Sequence, residues 1–300
     1  MRIGIIGIGD ICKKAYLPVL TMRDDIELIL CTRNQTTIND IKNKYRIKEG
    51  YTSITDLINS KIDGVIINSA TTSHFEIAKK LLENKIPVYL DKPISLNYKD
   101  SEELYKISKE NDTRIMVGFN RRFVPKVKDL RNEEYPDIII MEKNRLNLPN
   151  NDTRVFIYDD FIHVVDTVRF LMGQPHEDMS IKYKKDERGL LNIILTLSNK
   201  STTAIAIMNR DNGCNEETIE YMSSGKKTIV TSLVKTTRLT KEGATVSEFG
   251  DWIPTLYKRG FESILDEFIS GIKENRAFNV SFEDSLISHK ICEEIIQYIQ

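Results

Sequence analysis

Apolar runs and helical patterns alternate along the first 120 residues of the chain. The apolar runs predict five short strands, at residues 3–6, 26–31, 63–68, 86–90 and 114–119. The helical patterns lie between them, at residues 15–22, 56–60, 74–84 and 98–111. Strands that are separated by helices usually pair in parallel through right-handed crossovers. This half of the chain therefore predicts an α/β fold with a doubly wound parallel sheet.

The pattern becomes mostly β-like after Phe123–Pro125. Residues 181–247 contain several strand patterns separated by turn signals such as those at Asp186–Gly189 and Ser224–Gly225. The other predicted elements are a strand at 137–146 and helices at 160–172, 257–273 and 282–299. A large, mostly antiparallel sheet with helices on one side indicates an α+β domain. The predicted domains are therefore residues 1–120 and 121–300.

The second sheet and the overall charge bear on possible partners. Helices cover one face of the predicted sheet, so the other face must be polar or meet a partner. We expect a homodimer or homotetramer through the C-terminal sheet.

The net charge of −1 gives no general attraction to nucleic acid or to an anionic membrane. No segment is long and apolar enough to span a bilayer, so we expect neither partner.

The cysteines and the N-terminal segment indicate a cytoplasmic protein. Four cysteines lie far apart and lack the spacing of a metal site: Cys12, Cys31, Cys214 and Cys292. Reduced thiols are typical of the cytoplasm. Glycines interrupt the short apolar run at the start of the chain, which also lacks the cleavage-site pattern of a signal peptide.

A glycine-rich turn follows the first predicted strand and opens a helix. Residues 7–12 read G-x-G-x-x-C. Gly7 permits a tight turn, and Gly9 lets the backbone approach a pyrophosphate, while Cys12 replaces the usual third glycine. An ordinary strand-to-helix turn is the alternative. The βαβ context favours a Rossmann domain that binds a dinucleotide.

The end of the second strand indicates which dinucleotide is preferred. An acidic residue there would bind the 2′-hydroxyl of NAD(H), but the sequence is Cys31-Thr32-Arg33-Asn34. Thr32 can donate to a 2′-phosphate, and Arg33 can pair with it. We therefore expect NADP(H) to be favoured over NAD(H), although Arg33 could also be a solvated loop residue.

Two distant segments carry candidate acid/base chemistry. Lys92 follows an apolar strand and precedes Pro93, so it should face the ligand crevice of a parallel sheet. Asp159, His163 and Asp166 have the spacing of one helix face. A histidine flanked by carboxylates suits a general base. The alternatives are an exposed lysine, a structural histidine, and a metal site, for which no further ligands are evident.

The order of these motifs resembles the Gfo/Idh/MocA oxidoreductases over nearly the whole chain. The matching segments are the glycine turn, the D-K-P motif at 91–93, GFNRRFVP at 118–125 and D-x-x-x-H-x-x-D at 159–166. KAYLPVL at 14–20 and DDFIHVVDTVRFL at 159–171 look closest to the bacterial MviM-type branch. Asp91 stands where the family usually has glutamate. Phe161 replaces a frequent glycine, which leaves the substrate's size open.

The resemblance implies an NAD(P)-dependent oxidoreductase that acts on a hydroxyl or carbonyl carbon of a sugar, polyol or sugar derivative. His163 would be the acid/base, Asp159 its aligning carboxylate, and Lys92 the donor to the reacting oxygen. The residues expected to bind the cofactor are Gly7, Gly9, Asp10, Ile11, Thr32, Arg33, Ser69, Thr71, His74, Asp91 and Lys92. The candidate substrate contacts are Arg122, Lys143, Arg145, Asp160 and Arg210. The cations among them would suit a small, anionic sugar derivative.

Two other functions stay open. The chain could reduce a C=N or a conjugated C=C bond, a reaction that would tolerate loss of His163 better than loss of the glycine turn. It could also be a non-catalytic NADP(H)-binding sensor. The presence of both Lys92 and His163 argues against a sensor, because a protein that only binds the cofactor needs neither side chain.

Overall fold

The computed structural model describes residues 1–146 and 152–300. The chain forms two compact units. The first contains Met1–Gly118 and Phe261–His289, and the second contains Phe119–Gly260 and Lys290–Gln300. This division differs from the predicted domains 1–120 and 121–300, because a C-terminal segment packs with the first unit.

A six-stranded parallel sheet with the order β3-β2-β1-β4-β5-β6 forms the centre of the first unit. Its strands are β1 (Arg2–Ile6), β2 (Glu27–Cys31), β3 (Glu49–Tyr51), β4 (Gly64–Ile67), β5 (Val88–Leu90) and β6 (Ile115–Val117). The predicted doubly wound sheet is confirmed. The strand order reverses between β1 and β4, and ligands of such sheets bind outside the carboxyl ends of the strands at this point.

Helices connect the strands of the first unit. A π-helical turn, Cys12–Tyr16, leads into α1 (Leu17–Leu20). The next helices are α2 (Gln35–Tyr45), α3 (Ile54–Asn59), α4 (His74–Glu83) and α5 (Tyr98–Glu110). The sequence analysis missed α2 and β3. Only Ile38 and Ile41 of α2 are buried, so its apolar stripe is too narrow to stand out.

Aromatic contacts attach a C-terminal segment to the first unit. This segment consists of α10 (Phe261–Lys273) and the start of α11 (Phe282–Ile299). The ring of Phe261 lies edge-on to Tyr16 with centroids 5.6 Å apart, and Phe268 lies edge-on to Tyr89 at 5.6 Å. Aromatic pairs of this geometry bury a large apolar surface and favour one orientation of the two rings relative to each other.

An eight-stranded sheet with the order β14-β13-β12-β11-β7-β10-β9-β8 dominates the second unit. Its strands are β7 (Ile138–Asn144), β8 (Asp178–Asp186), β9 (Gly189–Ser198), β10 (Thr203–Asn209), β11 (Glu216–Ser223), β12 (Lys226–Thr231), β13 (Lys235–Thr240) and β14 (Gly243–Glu248). β7 and β10 pair in parallel, and the other paired strands of this sheet are antiparallel. The predicted mostly antiparallel sheet is confirmed.

One long helical stretch lies on the second sheet. Its parts are α7 (Thr153–Val155), the π-helical segment Phe156–Phe161 and α8 (Ile162–Met172). The remaining helices of the unit are α6 (Pro125–Arg131) and α9 (Thr255–Lys258). Within residues 1–146 and 152–300, no helix combines the length and apolar character that crossing a membrane requires.

Candidate functional site

The two glycines of the turn have different surroundings: the fold requires glycine at Gly7, whereas the space around Gly9 is open. Gly7 has a positive φ of 86°, and a Cβ there would lie 2.5 Å from the Cα of Ser69. Only glycine fits, because the end of β1 touches the loop after β4. A Cβ at Gly9 would meet no heavy atom within 4 Å. The protein itself therefore leaves room for a ligand to approach the backbone at Gly9.

The start of the first helix adds hydrogen-bond donors beside this turn. The amide of Lys13 donates to the carbonyl of Gly9 at 3.1 Å, which is the first bond of the helix. The amides of Asp10, Ile11 and Cys12 precede that bond and so have no carbonyl acceptor within the helix. Such amides suit a phosphate. Together with the open approach at Gly9, they fit the pyrophosphate of a dinucleotide.

Asn68 supplies another polar group where β1 and β4 end. It is buried at the carboxyl end of β4, and within the described residues its side-chain amide has no oxygen or nitrogen partner, only an interaction with the Cys12 thiol. Buried amides are nearly always paired, so this one suits a ligand contact. The sequence analysis missed Asn68, although its position directly after an apolar strand is a usable signal. Cys12 nearby is also buried, and burial raises the pKa of its thiol to about 12.

The end of β2 places Thr32 and Arg33 next to the glycine turn in the sheet. β1 and β2 are neighbours, with Ile6 opposite Cys31. The amide of Thr32 donates to the carbonyl of Tyr51 at 3.2 Å. Arg33 is exposed and makes no hydrogen bond or ion pair within residues 1–146 and 152–300. Its guanidinium is thus available to an anion.

His74 joins the loops that follow β4 and β5. Its Nδ1 lies 2.9 Å from the carbonyl oxygen of Pro93, and its Nε2 lies 3.1 Å from that of Ser69. Ser69 also accepts a hydrogen bond from Ser73, in the turn that contains Thr71. His74 is 1% exposed, and burial lowers its pKa. The structure therefore places it behind the two loops, where its ring nitrogens join them, and its contact with the cofactor stays a prediction.

The backbone on both sides of Lys92 is anchored. Asp91 accepts a hydrogen bond from the amide of Lys92 at 2.9 Å. The Lys92–Pro93 peptide bond is cis. The amide of Ile94 donates to Nε2 of the buried His289 at 2.9 Å. We call this arrangement the histidine clasp: His74 and His289, holding Pro93 and Ile94.

The clasp requires a neutral His289. Its Nε2 accepts from Ile94, so Nδ1 carries the proton and donates to the carbonyl of Ser285 at 2.8 Å. The sequence analysis missed His289, because a single histidine within a helical pattern gives no sign of a contact 195 residues away.

The carboxylate of Asp91, which is partly buried, lies beside Lys92. Burial raises the pKa of Asp91, while the charges of Lys92 and His74 and the hydroxyl of Tyr16 partly oppose this effect. The hydroxyls of Tyr16 and Tyr89 lie 3.1 Å apart. Both tyrosines also interact electrostatically with the Asp91 carboxylate, so the three side chains lie close together.

The helical stretch on the second sheet exposes a small polar patch. From Phe156 to Val168, every residue is buried except Asp159, Asp160 and His163. Apolar neighbours thus hold this part of the helix against the sheet. The patch contains two residues predicted to be catalytic, Asp159 and His163, and one predicted substrate contact, Asp160.

Asp166 does not belong to this patch, although its spacing in the sequence predicts that it shares one helix face with Asp159 and His163. The π-helical segment Phe156–Phe161 contains Asp159, and its wider turn shifts residues from α-helical spacing. Asp166 is 1% exposed and accepts hydrogen bonds from Nε and Nη2 of Arg122 at 2.8 and 2.6 Å. The guanidinium of Arg122 also lies over the rings of Phe119 and Phe170. This buried ion pair differs from the substrate contact that we expected for Arg122.

The remaining predicted substrate contacts form a partly buried, positively charged cluster around Asp160. Lys143 is 2% exposed and donates to Asp160, and Nε of Arg145 lies 3.7 Å from the same carboxylate. Burial and the charge of Arg121 lower the pKa of Lys143 to about 7. Burial alone would raise the pKa of Asp160, but the surrounding cations, including Arg210, outweigh it and lower the pKa.

Arg121 and Glu217 complete this cluster and were missed by the sequence analysis. Nε and Nη2 of Arg121 donate to Glu217 at 2.6 and 3.0 Å, and both residues are buried. Arg121 lies beside Arg122 in the GFNRRFVP segment, but its partner comes from β11. Within the described ranges, no group of three or more His, Cys, Asp or Glu side chains could hold a metal ion.

Comparison with known proteins identifies both halves of the chain. Residues 1–119 match the Gfo/Idh/MocA oxidoreductase family, which has an NAD-binding Rossmann fold. Residues 125–241 match the YceM-like C-terminal domain.

Solved structures resemble the whole chain. A Gfo/Idh/MocA family oxidoreductase from Vibrio cholerae is 30% identical with a TM-score of 0.93, covering 100% of this chain and 99% of that one. A dehydrogenase (MviM) from Clostridium difficile is 31% identical with a TM-score of 0.94, covering 99% of each chain. The myo-inositol 2-dehydrogenase of Thermotoga maritima is 28% identical over 60% of this chain and 57% of its own length. The chain belongs to the Gfo/Idh/MocA family of oxidoreductases, as its motifs predict.

The two glycines of the turn should respond differently to alanine. Gly7→Ala should lose at least about 2 kcal/mol of unfolding free energy, because φ is positive and the Cβ meets backbone atoms. Gly9→Ala should stay within about 0.5 kcal/mol of the parent, yet bind NADPH at least tenfold more weakly. Urea unfolding and nicotinamide fluorescence measure the two effects. Unchanged NADPH affinity in Gly9→Ala would contradict the assignment of the turn.

Arg122→Ala should destabilise the protein by about 3–5 kcal/mol, because it leaves the buried Asp166 carboxylate without its guanidinium partner. Urea unfolding measures this loss. Arg188→Ala is the matched control, because Arg188 pairs with Asp186 and Asp211 at an exposed site and should cost at most about 1 kcal/mol. A similar small loss for both variants would show that Arg122 is not held as the structure indicates.

Proposed function

We propose that the chain transfers a hydride between a nicotinamide cofactor and a hydroxyl or carbonyl carbon of a sugar, polyol or sugar derivative. The observation that carries this proposal is the polar patch of Asp159, Asp160 and His163 on an otherwise buried helical stretch. A partly exposed histidine within about one helical turn of a carboxylate suits proton transfer at neutral pH. The activity named for the Thermotoga maritima relative, myo-inositol 2-dehydrogenase, supports the substrate class.

The proposed roles follow from the chemistry of each side chain. In oxidation, Nε2 or Nδ1 of His163 accepts the proton of the substrate hydroxyl, and in reduction it returns one. Asp159 aligns the imidazole and stabilises its charged form. The ammonium of Lys92 donates to the reacting oxygen as negative charge develops there. When bound, the nicotinamide accepts or supplies the hydride.

The carboxyl edge of the first sheet supports the binding of that cofactor. We propose that the backbone at Gly9, Asp10 and Ile11 holds the pyrophosphate. The loop residues Ser69 and Thr71, and Asp91 beside Lys92, would contribute at the neighbouring strand ends. Arg33, which is exposed and lacks a protein partner among the described residues, would pair with the 2′-phosphate of NADP(H).

Arg33→Asp should reverse the cofactor preference. NADPH affinity should fall at least tenfold, because a charge-assisted hydrogen bond contributes about 1.5–3 kcal/mol, while NADH affinity should hold or rise. Titration of nicotinamide fluorescence measures both dissociation constants. Lys48→Asp, at another exposed position of the same unit, controls for the change in net charge. Equal loss of NADPH affinity in the two variants would refute a specific contact at Arg33.

His163→Asn should lower kcat by about 10²–10⁴-fold, the usual contribution of a positioned acid/base, and should leave NADPH affinity unchanged. Steady-state rates with a panel of inositols, sugars and keto sugars provide the measurement. His176→Asn, in the same unit, is the matched control. If His163→Asn retains its full rate, the reaction does not use this proton transfer, and reduction of a C=N or conjugated C=C bond becomes the better explanation. Cofactor binding without any turnover would favour a sensor.

We also propose that copies of the chain associate as a homodimer or homotetramer through the second sheet. The face of β7, β9 and β10 that points away from the buried side mixes isoleucines with polar residues. Its isoleucines are Ile138, Ile140, Ile194, Ile205 and Ile207. Ile194 and Ile207 are opposite each other, as are Ile140 and Ile205. An apolar cluster with a polar rim is typical of a protein interface.

A further inference from the structure

Two arginines lie at matching positions beyond the parallel strands β7 and β10. Ile207 pairs with Glu142, so Arg210 and Arg145 are each three residues further on. The amide of Arg145 donates to the carbonyl of Asn209 at 2.8 Å, which continues the pairing past the ends of the strands. Neighbouring strands lie about 5 Å apart. The side chains of Arg145 and Arg210 therefore leave the sheet side by side.

Both arginines are directed toward the polar patch of the helical stretch. Each acts electrostatically on Asp160, and the Nε of Arg145 lies 3.7 Å from the Asp160 carboxylate. The guanidinium carbon of Arg210 lies 5.1 Å from the ring centroid of Phe156, in the same π-helical segment. Stacking on an aromatic face fixes the plane of a guanidinium and leaves its edge for hydrogen bonds.

Positive charge exceeds negative charge in this cluster. It contains three arginines (Arg121, Arg145 and Arg210), Lys143, whose pKa is lowered to about 7 so that it is only partly charged at neutral pH, and two carboxylates, Asp160 and Glu217. Arg121 already forms two hydrogen bonds with Glu217. Asp160 is then shared by Lys143, Arg145 and Arg210. A partly buried cluster with this excess is costly unless an anion joins it.

One donor in the cluster independently indicates a ligand. The Nε of Arg210 is buried and has no hydrogen-bond partner in the part of the chain that the structure describes. A buried, charged donor without an acceptor is rare in folded proteins, because its lost hydration is not replaced. An oxyanion placed between Arg210 and Arg145 would supply that acceptor.

We propose that Arg145 and Arg210 bind an oxyanion, a carboxylate or a phosphate, that is part of the substrate. This inference rests on the proposed oxidoreductase function and names its substrate class: an acidic derivative of a sugar or polyol. Asp160 precedes His163 by three residues within the polar patch, a separation of about one helical turn. The anionic group would therefore be held within one sugar length of the proposed acid/base.

Binding to the full-length protein in the presence of saturating NADPH tests this inference. Isothermal titration with glucose 6-phosphate, glucuronate and glucose should show at least tenfold tighter binding for one of the acidic sugars than for glucose. Preference for glucose 6-phosphate identifies a phosphate, and preference for glucuronate identifies a carboxylate. Inorganic phosphate should compete with the acidic sugar, and 0.5 M salt should weaken binding because charges make the contact.

Arg145→Gln and Arg210→Gln should each remove most of the preference for the acidic sugar. Arg188→Gln, an exposed arginine of the same unit, should leave the preference intact. Arg210→Lys retains the charge but loses the planar fork, so it should rescue only part of the affinity. Thermal unfolding checks that each variant is folded. If Arg210→Gln does not fold, the partly exposed Arg145 still provides the test.

The possible failures are distinguishable. If NADPH binds and neutral polyols turn over, but acidic sugars bind no better than glucose, the oxyanion site is refuted and the oxidoreductase function stands. The site is equally refuted if Arg145→Gln and Arg210→Gln behave like Arg188→Gln. If acidic sugars bind through the two arginines but NADPH does not bind, the proposed function fails and the anion site stands.

Discussion

The histidine clasp is the constraint on which the proposed lysine chemistry depends. His74 hydrogen-bonds to the carbonyl of Pro93, and His289 accepts a hydrogen bond from the amide of Ile94, so two histidines far apart in the sequence hold the two residues after Lys92. A lysine has a long, flexible side chain, so its ammonium can donate a hydrogen bond to a reacting oxygen reliably only if its backbone is held in place. The clasp therefore fixes the backbone that follows Lys92, and it adds a hydrogen bond with α11 to the aromatic contacts that attach the C-terminal segment to this unit. It also fixes the tautomer of His289, whose Nε2 accepts from Ile94 while its Nδ1 donates to Ser285.

Local patterns predicted most of the fold. Strands that are buried on both faces, such as β1 and β4, contain continuous apolar runs and are easily recognised. The polar helix α2 and the three-residue strand β3 were missed, because little of either is buried. The turn between β12 and β13 was also missed, since its left-handed positions are Ser232 and Leu233 rather than glycine or asparagine. The assignment of α10 to the first unit depends on long-range aromatic packing, which no local pattern reveals.

The candidate site was only partly predictable for the same reason. Gly7 and Gly9 are recognisable in the sequence because the turn that binds a dinucleotide needs glycines at this fixed spacing. Arg122, Lys143, Arg145 and Arg210 are four similar cations in the sequence, but the structure separates their environments. Arg122 has a buried carboxylate partner in Asp166, whereas Arg210 retains a buried donor without an acceptor. Partners such as Glu217 and His289 come from distant segments, so their contribution appears only after folding.

The central claim is that this chain moves a hydride, and transfer of deuterium tests it most directly. Purified protein would be incubated with NADPH deuterated at C4 of the nicotinamide and with a panel of keto sugars and ketoinositols, neutral and acidic. Mass spectrometry would then locate the label. The account predicts carbon-bound deuterium in one alcohol product. If the protein binds NADPH tightly but the label stays in the cofactor with every ketone, while a known dehydrogenase transfers it, the chain is not the oxidoreductase proposed here.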